Sequence, residues 1–315
     1  MRAFFWGTRG SLPASMTGAM IRAKVVEAIR AAQGQAFTSR DEIGLFVDRS
    51  LPFTVRGAYG GNTSCVEIRG ADEYVLCDAG TGLRDFGHSL ALEGRPAVFH
   101  IFISHPHWDH IQGFPFFTPA FIPGNRIHVY GCHTDLEQAF IDQQRPPFFP
   151  VPFKAMQAEI TFTDLQPGRP YEIAGLTVQC LKQNHPGDSY GYLFRRDDKK
   201  IVYSTDSEHK REAESPFYPF LDFIHGADLL IFDAQYTLLD AISAKENWGH
   251  SNNIVGVELA IDGDVKRLCL FHNEHTYDDT ALDQFLVDTK NYMKIHAPAS
   301  PLEIHLAYDG LEIEV

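Results

Sequence analysis

The stretch FISHPHWDHIQG, Phe102 to Gly113, places His105, His107, Asp109 and His110 within six positions. Imidazole and carboxylate are the ligand set of zinc and similar divalent ions. A lone histidine here would read as an ordinary core or surface residue. Three with an aspartate, directly after the apolar run VFHIFIS, read as a metal loop. Four donors in one loop cannot all grip one small ion and leave it an open coordination position. The spacing therefore predicts two ions, one on His105 and His107 and its neighbour on Asp109 and His110. Each needs help from elsewhere, and three later strand-like runs end in suitable donors. CLKQNHPGDS brings His185, IVYSTDSEH brings Asp206 and LCLFHNEHT brings His272. Asp206 has the oxygen pair that could bridge both ions. Two cations roughly 3.5–4 Å apart can hold a hydroxide between them and lower the pKa of its parent water to near 7.

No competing nucleophile stands out. There is no GxSxG elbow, and no cysteine sits in a setting that would activate it. The five cysteines, Cys65, Cys77, Cys132, Cys180 and Cys269, lie in apolar runs without CxxC spacing. They read as buried free thiols of a reducing cytoplasm. The net charge is −14, and no lysine- or arginine-rich run exists. The longest basic cluster, Arg195 to Lys200, reads as a hairpin turn. That balance weighs against a long nucleic acid as partner and favours a small-molecule substrate, although a local basic pocket remains compatible with it. No run of about 18 apolar residues predicts a membrane span. Met1 to Gly7 is too short, and too soon broken by glycine, to act as a signal peptide.

The elements that must position these donors follow from periodicity. Strands are expected near 2–6, 64–69, 73–78, 98–103, 127–131, 159–163, 176–182, 189–195, 199–204, 228–233, 267–271, 302–307 and 310–315. Helices are expected from a capping box at Thr134 to Glu137 onward, over 252–261, and from Asp278 to Ile295. Residues 14–56 read as a helical insertion of two amphipathic helices, suited to a lid, a homodimer contact or a packing appendage. The segment RPPFFPVPF, Arg145 to Phe153, reads as a stiff apolar loop that walls a cleft or covers the core. No linker or repeat divides the chain, so 1–315 reads as one domain.

The pattern His-x-His-x-Asp-His with a distant His, Asp and His resembles the metallo-β-lactamase fold. The words FWGTRGSLP, YGGNTSCVEI, LCDAGTGLR, NHPGDSYGY, YSTDSEH and WGHSN resemble a bacterial subgroup near the ribonuclease Z and cyclic-nucleotide phosphodiesterase branch. The resemblance implies an α/β fold, a four-layer αββα sandwich. It implies one metal on His105, His107, His185 and Asp206, and a second on Asp109, His110, Asp206 and His272. Histidine at 107, where the iron redox branch carries glutamate, implies hydrolytic chemistry with zinc, manganese or iron. Asp78 in LCDAGTG would orient a ligand histidine or bond backbone amides. His250 in WGHSN would sit by the scissile phosphate and donate to the developing charge, and Asp109 would orient the hydroxide. Glu208 and His209 would relay a proton or brace the loop, while His275 departs from the subgroup and reads as a surface residue. His88, His128, His296 and His305 read as structural. Ser11, after the turn Gly7 to Gly10, would face the site.

The function these residues lead one to expect is a metal-dependent hydrolase of a small phosphodiester. Two rivals stand beside it. One is a hydrolase of an uncharged substrate, such as a lactone, thioester or electrophilic toxin, favoured by a cleft with no lysine or arginine nearby. The other is a non-catalytic sensor or scaffold that keeps the fold, which complete retention of the seven donors opposes.

Overall fold

The computed structural model describes residues 1–90, 95–210, 218–238, 245 and 247–315. It builds two seven-stranded mixed sheets. The first runs in the order β14 (Glu312–Glu314), β1 (Arg2–Gly7), β2 (Cys65–Arg69), β3 (Tyr74–Cys77), β4 (Val98–Phe102), β5 (Arg126–Gly131) and β6 (Glu159–Asp164). The second runs β13 (Glu303–Leu306), β12 (Arg267–Phe271), β11 (Leu229–Asp233), β10 (Lys199–Ser204), β9 (Ser189–Arg196), β8 (Leu176–Gln183) and β7 (Tyr171–Ile173).

Parallel pairing explains where the chemistry lands. Strands β3 to β6 are mutually parallel, as are β10 to β13. Strand β8 is antiparallel to β9, and β9 to β10, so β8 and β10 point the same way. The loops leaving β3, β4, β8, β10, β11 and β12 therefore carry the candidate donors from carboxyl ends, where open α/β sheets place their sites. Leu229–Asp233 is buried along its whole length, as a parallel strand covered on both faces must be.

Three apolar clusters account for the layers. Phe5, Val66, Phe102, Val178, Tyr192, Tyr203 and Phe271 fill the space between the sheets. Phe99, Ile101 and Val129 pack outward against Leu83 and Phe86 of α4 (Gly82–Ser89). On the far side Leu230, Phe232 and Leu268 pack against Val257 of α8 (Asn253–Asp262) and Leu282 and Phe285 of α9 (Asp279–His296). Helix, sheet, sheet and helix make the expected αββα sandwich.

All thirteen expected strands form. The one missed, β7, is three residues long and folds back on β8 through Ala174 and Gly175, both at positive φ. The expected capping box at Thr134 is absent. Helix α6 (Leu136–Gln143) starts later, after Asp135, with no side-chain cap. Ser39 does cap α2 (Arg40–Ser50), accepting from Glu42 N at 3.2 Å, and Glu42 returns a bond to Thr38 N at 2.7 Å. Helix α1 (Gly18–Ala31) forms as expected, yet neither α1 nor α2 buries a residue. The stripe Ile21, Val25 and Ile29 is exposed. The proline-rich loop divides its rings: Phe153 packs on Phe114 and Phe162, Phe149 meets Phe116, and Phe148 is exposed. Four cysteines are buried free thiols; Cys132 is only half-buried, with its Sγ 3.3 Å from that of Cys180. Among the described residues no helix is long and apolar enough to cross a membrane.

Candidate metal centre

Two donor sets lie side by side. One atom from each of His105, His107, His185 and Asp206 lies within 4.8 Å of the others, and the same holds for Asp109, His110, Asp206 and His272. All seven sequence-predicted donors are thus brought together. Asp206 belongs to both sets, through different oxygens. Its Oδ2 is 3.6 Å from His105 Nε2 and 3.7 Å from His185 Nε2. Its Oδ1 is 3.2 Å from both His110 Nε2 and His272 Nε2. Asp109 Oδ2 completes the second set, 3.2 Å from the same two nitrogens. His107 Nδ1 closes the first, 2.8 Å from His105 Nε2 and 3.2 Å from His185 Nε2. His107 is the one exposed member.

The loop geometry is fixed locally. The metal loop leaves β4 and turns at once into the single-turn helix α5 (Trp108–Ile111), which aims Asp109 and His110 inward. Asp206 and His272 both adopt positive φ at their strand ends. Gly10 lets the first loop press on His272: a Cβ there would stand 2.5 Å from His272 Nδ1. Ser11, next along, donates its backbone N–H to Asp109 Oδ2 at 2.8 Å, so the first loop does reach the site.

Hydrogen bonds behind the donors set their orientation. His110 Nδ1 donates to Asp78 Oδ2 at 2.7 Å, leaving the buried His110 Nε2 without a hydrogen-bond partner and facing the set. His105 Nδ1 meets Ser104 Oγ at 3.1 Å, and His185 Nδ1 donates to Gly249 O at 2.8 Å. His272 Nδ1 lies 4.0 Å from Asp233 Oδ1. Asp233 itself, the last residue of β11, accepts from Ser207 N at 2.9 Å and His250 Nδ1 at 3.0 Å. The sequence reading missed Asp233. The signal was present: IFDAQY ends an apolar run on aspartate, as LCDAGTG and IVYSTDS do.

The electrostatics match a cation-binding pair of sets. Burial, with neighbouring imidazoles adding to it, holds His105, His107 and His185 below the usual histidine range. Burial would raise Asp206 and Asp109, but the surrounding imidazoles win and hold both carboxylates low. Neutral imidazole and ionised carboxylate are the ligating states. His110 is the exception. Burial pushes it down, yet Asp206, Asp109 and Asp78 together push it well up. Imidazole nitrogens and carboxylate oxygens that converge in two sets fit divalent ions.

The remaining expectations sort cleanly. His250 stacks on His272, with ring centroids 5.1 Å apart, and stands 5.1 Å from the His185 ring. His209 turns away. It is bound between Ser207 Oγ and Tyr218 OH, packed on Phe220, and lowered to about 4 by burial, so it braces the loop. Glu208 accepts from Asn247 N at 3.1 Å, tying the Asp206 loop to the His250 loop. His275 is partly exposed and pairs with Glu274 at 3.2 Å. His128 bonds Thr161, His296 stacks on Tyr292, and His88 is exposed; none of the three belongs to a donor set.

Residues 73–273 match the family described as Beta-lactamase superfamily domain. Ribonuclease Z of Sulfurisphaera tokodaii is 23% identical over 283 residues, covering 76% of this chain and 90% of that protein. The metallo-beta-lactamase fold protein YhfI from Bacillus subtilis superposes over 100% of this chain and 98% of its own, with TM-score 0.66 and 18% identity. A diphosphatase from the PhnP family covers 100% and 97%, with TM-score 0.62 and 20% identity. With the family match spanning well over half its length, and the twin donor sets at the strand ends, the chain belongs to the beta-lactamase superfamily.

Proposed function

We propose that the seven donors hold two divalent cations and that the protein hydrolyses phosphodiesters, a small diester being the substrate. The observation that carries this reading is Asp206, whose two oxygens face the two sets separately. Bound there, such ions would supply a water acidic enough to attack at neutral pH and charge to offset the leaving oxygen. Zinc suits the imidazole-rich donors, and manganese or iron would be held by the same residues.

The chain's own groups do the rest. Asp109, pinned through Oδ2 by Ser11 N, keeps its other oxygen to orient the attacking water. His250 uses Nδ1 on Asp233, which leaves Nε2 to donate. Burial disfavours its charge, but Asp233 outweighs burial and raises it to about 9. Cations in the adjoining sets would push the other way, so Asp233 is what keeps the imidazole a competent proton donor.

The nearby lysine is held by an ion pair. Lys245 Nζ is 2.9 Å from Glu274 Oε2 and 4.2 Å over the Tyr236 ring, whose centroid is 5.6 Å from that of His250. The relatives named ribonuclease Z support a phosphodiester over a lactone or thioester. RNA is the second reading, favoured by the relatives named ribonuclease Z, and the net charge of −14 is what favours the small diester over it.

The test assays zinc- and manganese-loaded protein on bis-p-nitrophenyl phosphate, an RNA oligonucleotide, a lactone and a thioester. Diester turnover that barely responds to salt is expected. RNA turnover falling steeply with salt would favour the second reading. Hydrolysis of the lactone or thioester alone would overturn both.

A further inference from the structure

We propose that Cys132 and Cys180 form a peroxide-sensitive dithiol, and that its oxidation joins the two sheets by a disulfide beside the turn that carries His185.

The five cysteines do not stand alike. Cys65, Cys77 and Cys269 are fully buried, and burial pushes each of their thiols up. A neutral thiol shut away from solvent is inert. Cys132 and Cys180 instead touch each other, Sγ to Sγ, at 3.3 Å. Cys180 is 1% exposed, but Cys132 is only half-buried, which opens the pair to a molecule as small as a peroxide. A disulfide needs about 2.05 Å, so the sulfurs must draw together by roughly 1.3 Å.

Their place in the fold gives the bond something to hold. Cys132 follows the last residue of β5 in the first sheet, and Cys180 lies within β8 of the second. Both belong to the apolar cluster between the sheets. His133, next to Cys132, has its Nε2 3.2 Å from both Gly187 O and Asp188 O, and its ring stands edge-on to Tyr190 at 5.1 Å. Strand β8 itself runs on to His185. A covalent link here would tie together the two segments that meet at that turn.

The pair is also set up for the chemistry. The Cys132 thiol, donating to it, holds Cys180 below the usual thiol range, so Cys180 can take the proton and leave the charge on Cys132. The Cys132 sulfur then attacks hydrogen peroxide. An S–O bond forms, the O–O bond breaks, and hydroxide leaves and takes up a proton as water. The Cys180 sulfur next displaces the sulfenic hydroxyl, which departs with the remaining thiol proton as a second water. Two thiols lose two electrons, and the peroxide gains them. A bridge spanning 48 residues would restrict the unfolded chain and so stabilise the fold.

The test titrates thiols in the purified, reduced chain after hydrogen peroxide and denaturation. Five should be found before treatment and three after it, returning to five with dithiothreitol. Peptide mapping should join Cys132 to Cys180. The oxidised chain should unfold at a higher temperature than the reduced one. In Cys132→Ser and in Cys180→Ser no internal bridge should form, and peroxide should not raise the midpoint. Five thiols surviving a dose that oxidises free glutathione would overturn the proposal. So would a bridge between any other pair, or a joined chain that unfolds no later than the reduced one.

Discussion

Asp78 takes four hydrogen bonds on one side chain. Ser104 N and Oγ, His110 Nδ1 and Tyr203 OH all donate to it, at 2.7 to 2.9 Å, and it holds a positive φ to do so. Such a backbone costs about 1–3 kcal/mol, which the surrounding bonds must offset. The result is a His110 ring locked with Nε2 forward. His250 is held the same way by Asp233, and the contrast in what the two rings do gives a prediction. His250→Ala should lower kcat by about 10²–10³-fold, as loss of a general acid does, while bound metal stays at the wild-type level. Rate assays with metal analysis on one preparation check this. Lost metal would make His250 a ligand, and unchanged kcat would remove it from the reaction. The seven donors were legible because imidazole and carboxylate at strand ends are rare and tightly spaced. Gly249 was not legible, because the ring its carbonyl holds lies 64 residues away.

At the scale of elements, the segment 14–56 gives the prediction. Its helices were legible from their apolar stripes, but their exposure was not, because a stripe says only that one face is apolar. Helix α1 is attached through Lys24, whose Nζ is 2.6 Å from Asp279 Oδ2 and donates to Gly57 O at 2.9 Å and to Thr54 O. Those carbonyls belong to α3 (Phe53–Arg56) and the residue just beyond it. Phe53 in turn packs on Tyr59 and Tyr308. One cation therefore joins α1, α3 and the start of α9. Lys24→Met keeps the stem and removes those bonds. Amide hydrogen exchange over 18–31 should quicken by about tenfold, the effect of losing ~1.4 kcal/mol of local stability, with metal content unchanged. Exchange at the wild-type rate would mean that other contacts hold α1.

At the scale of the molecule, neither sheet builds the centre alone. The first sheet delivers His105, His107, Asp109 and His110 after β4; the second delivers His185, Asp206 and His272 after β8, β10 and β12. Ions held between them would clip the two sheets together at one end, so binding should feed into stability. The αββα layering was legible because the runs are long, apolar and regularly punctuated. Which loops meet across the sandwich was not legible from periodicity, which carries no information between sheets. The central claim is that two ions share Asp206. The most direct measurement is metal content per chain, by mass spectrometry after exhaustive dialysis, for wild type and Asp206→Asn. We expect about two ions in wild type and loss from both sets in the variant, with bis-p-nitrophenyl phosphate turnover lost alongside. Fewer than one ion in wild type, or a variant that still holds two, would contradict the account.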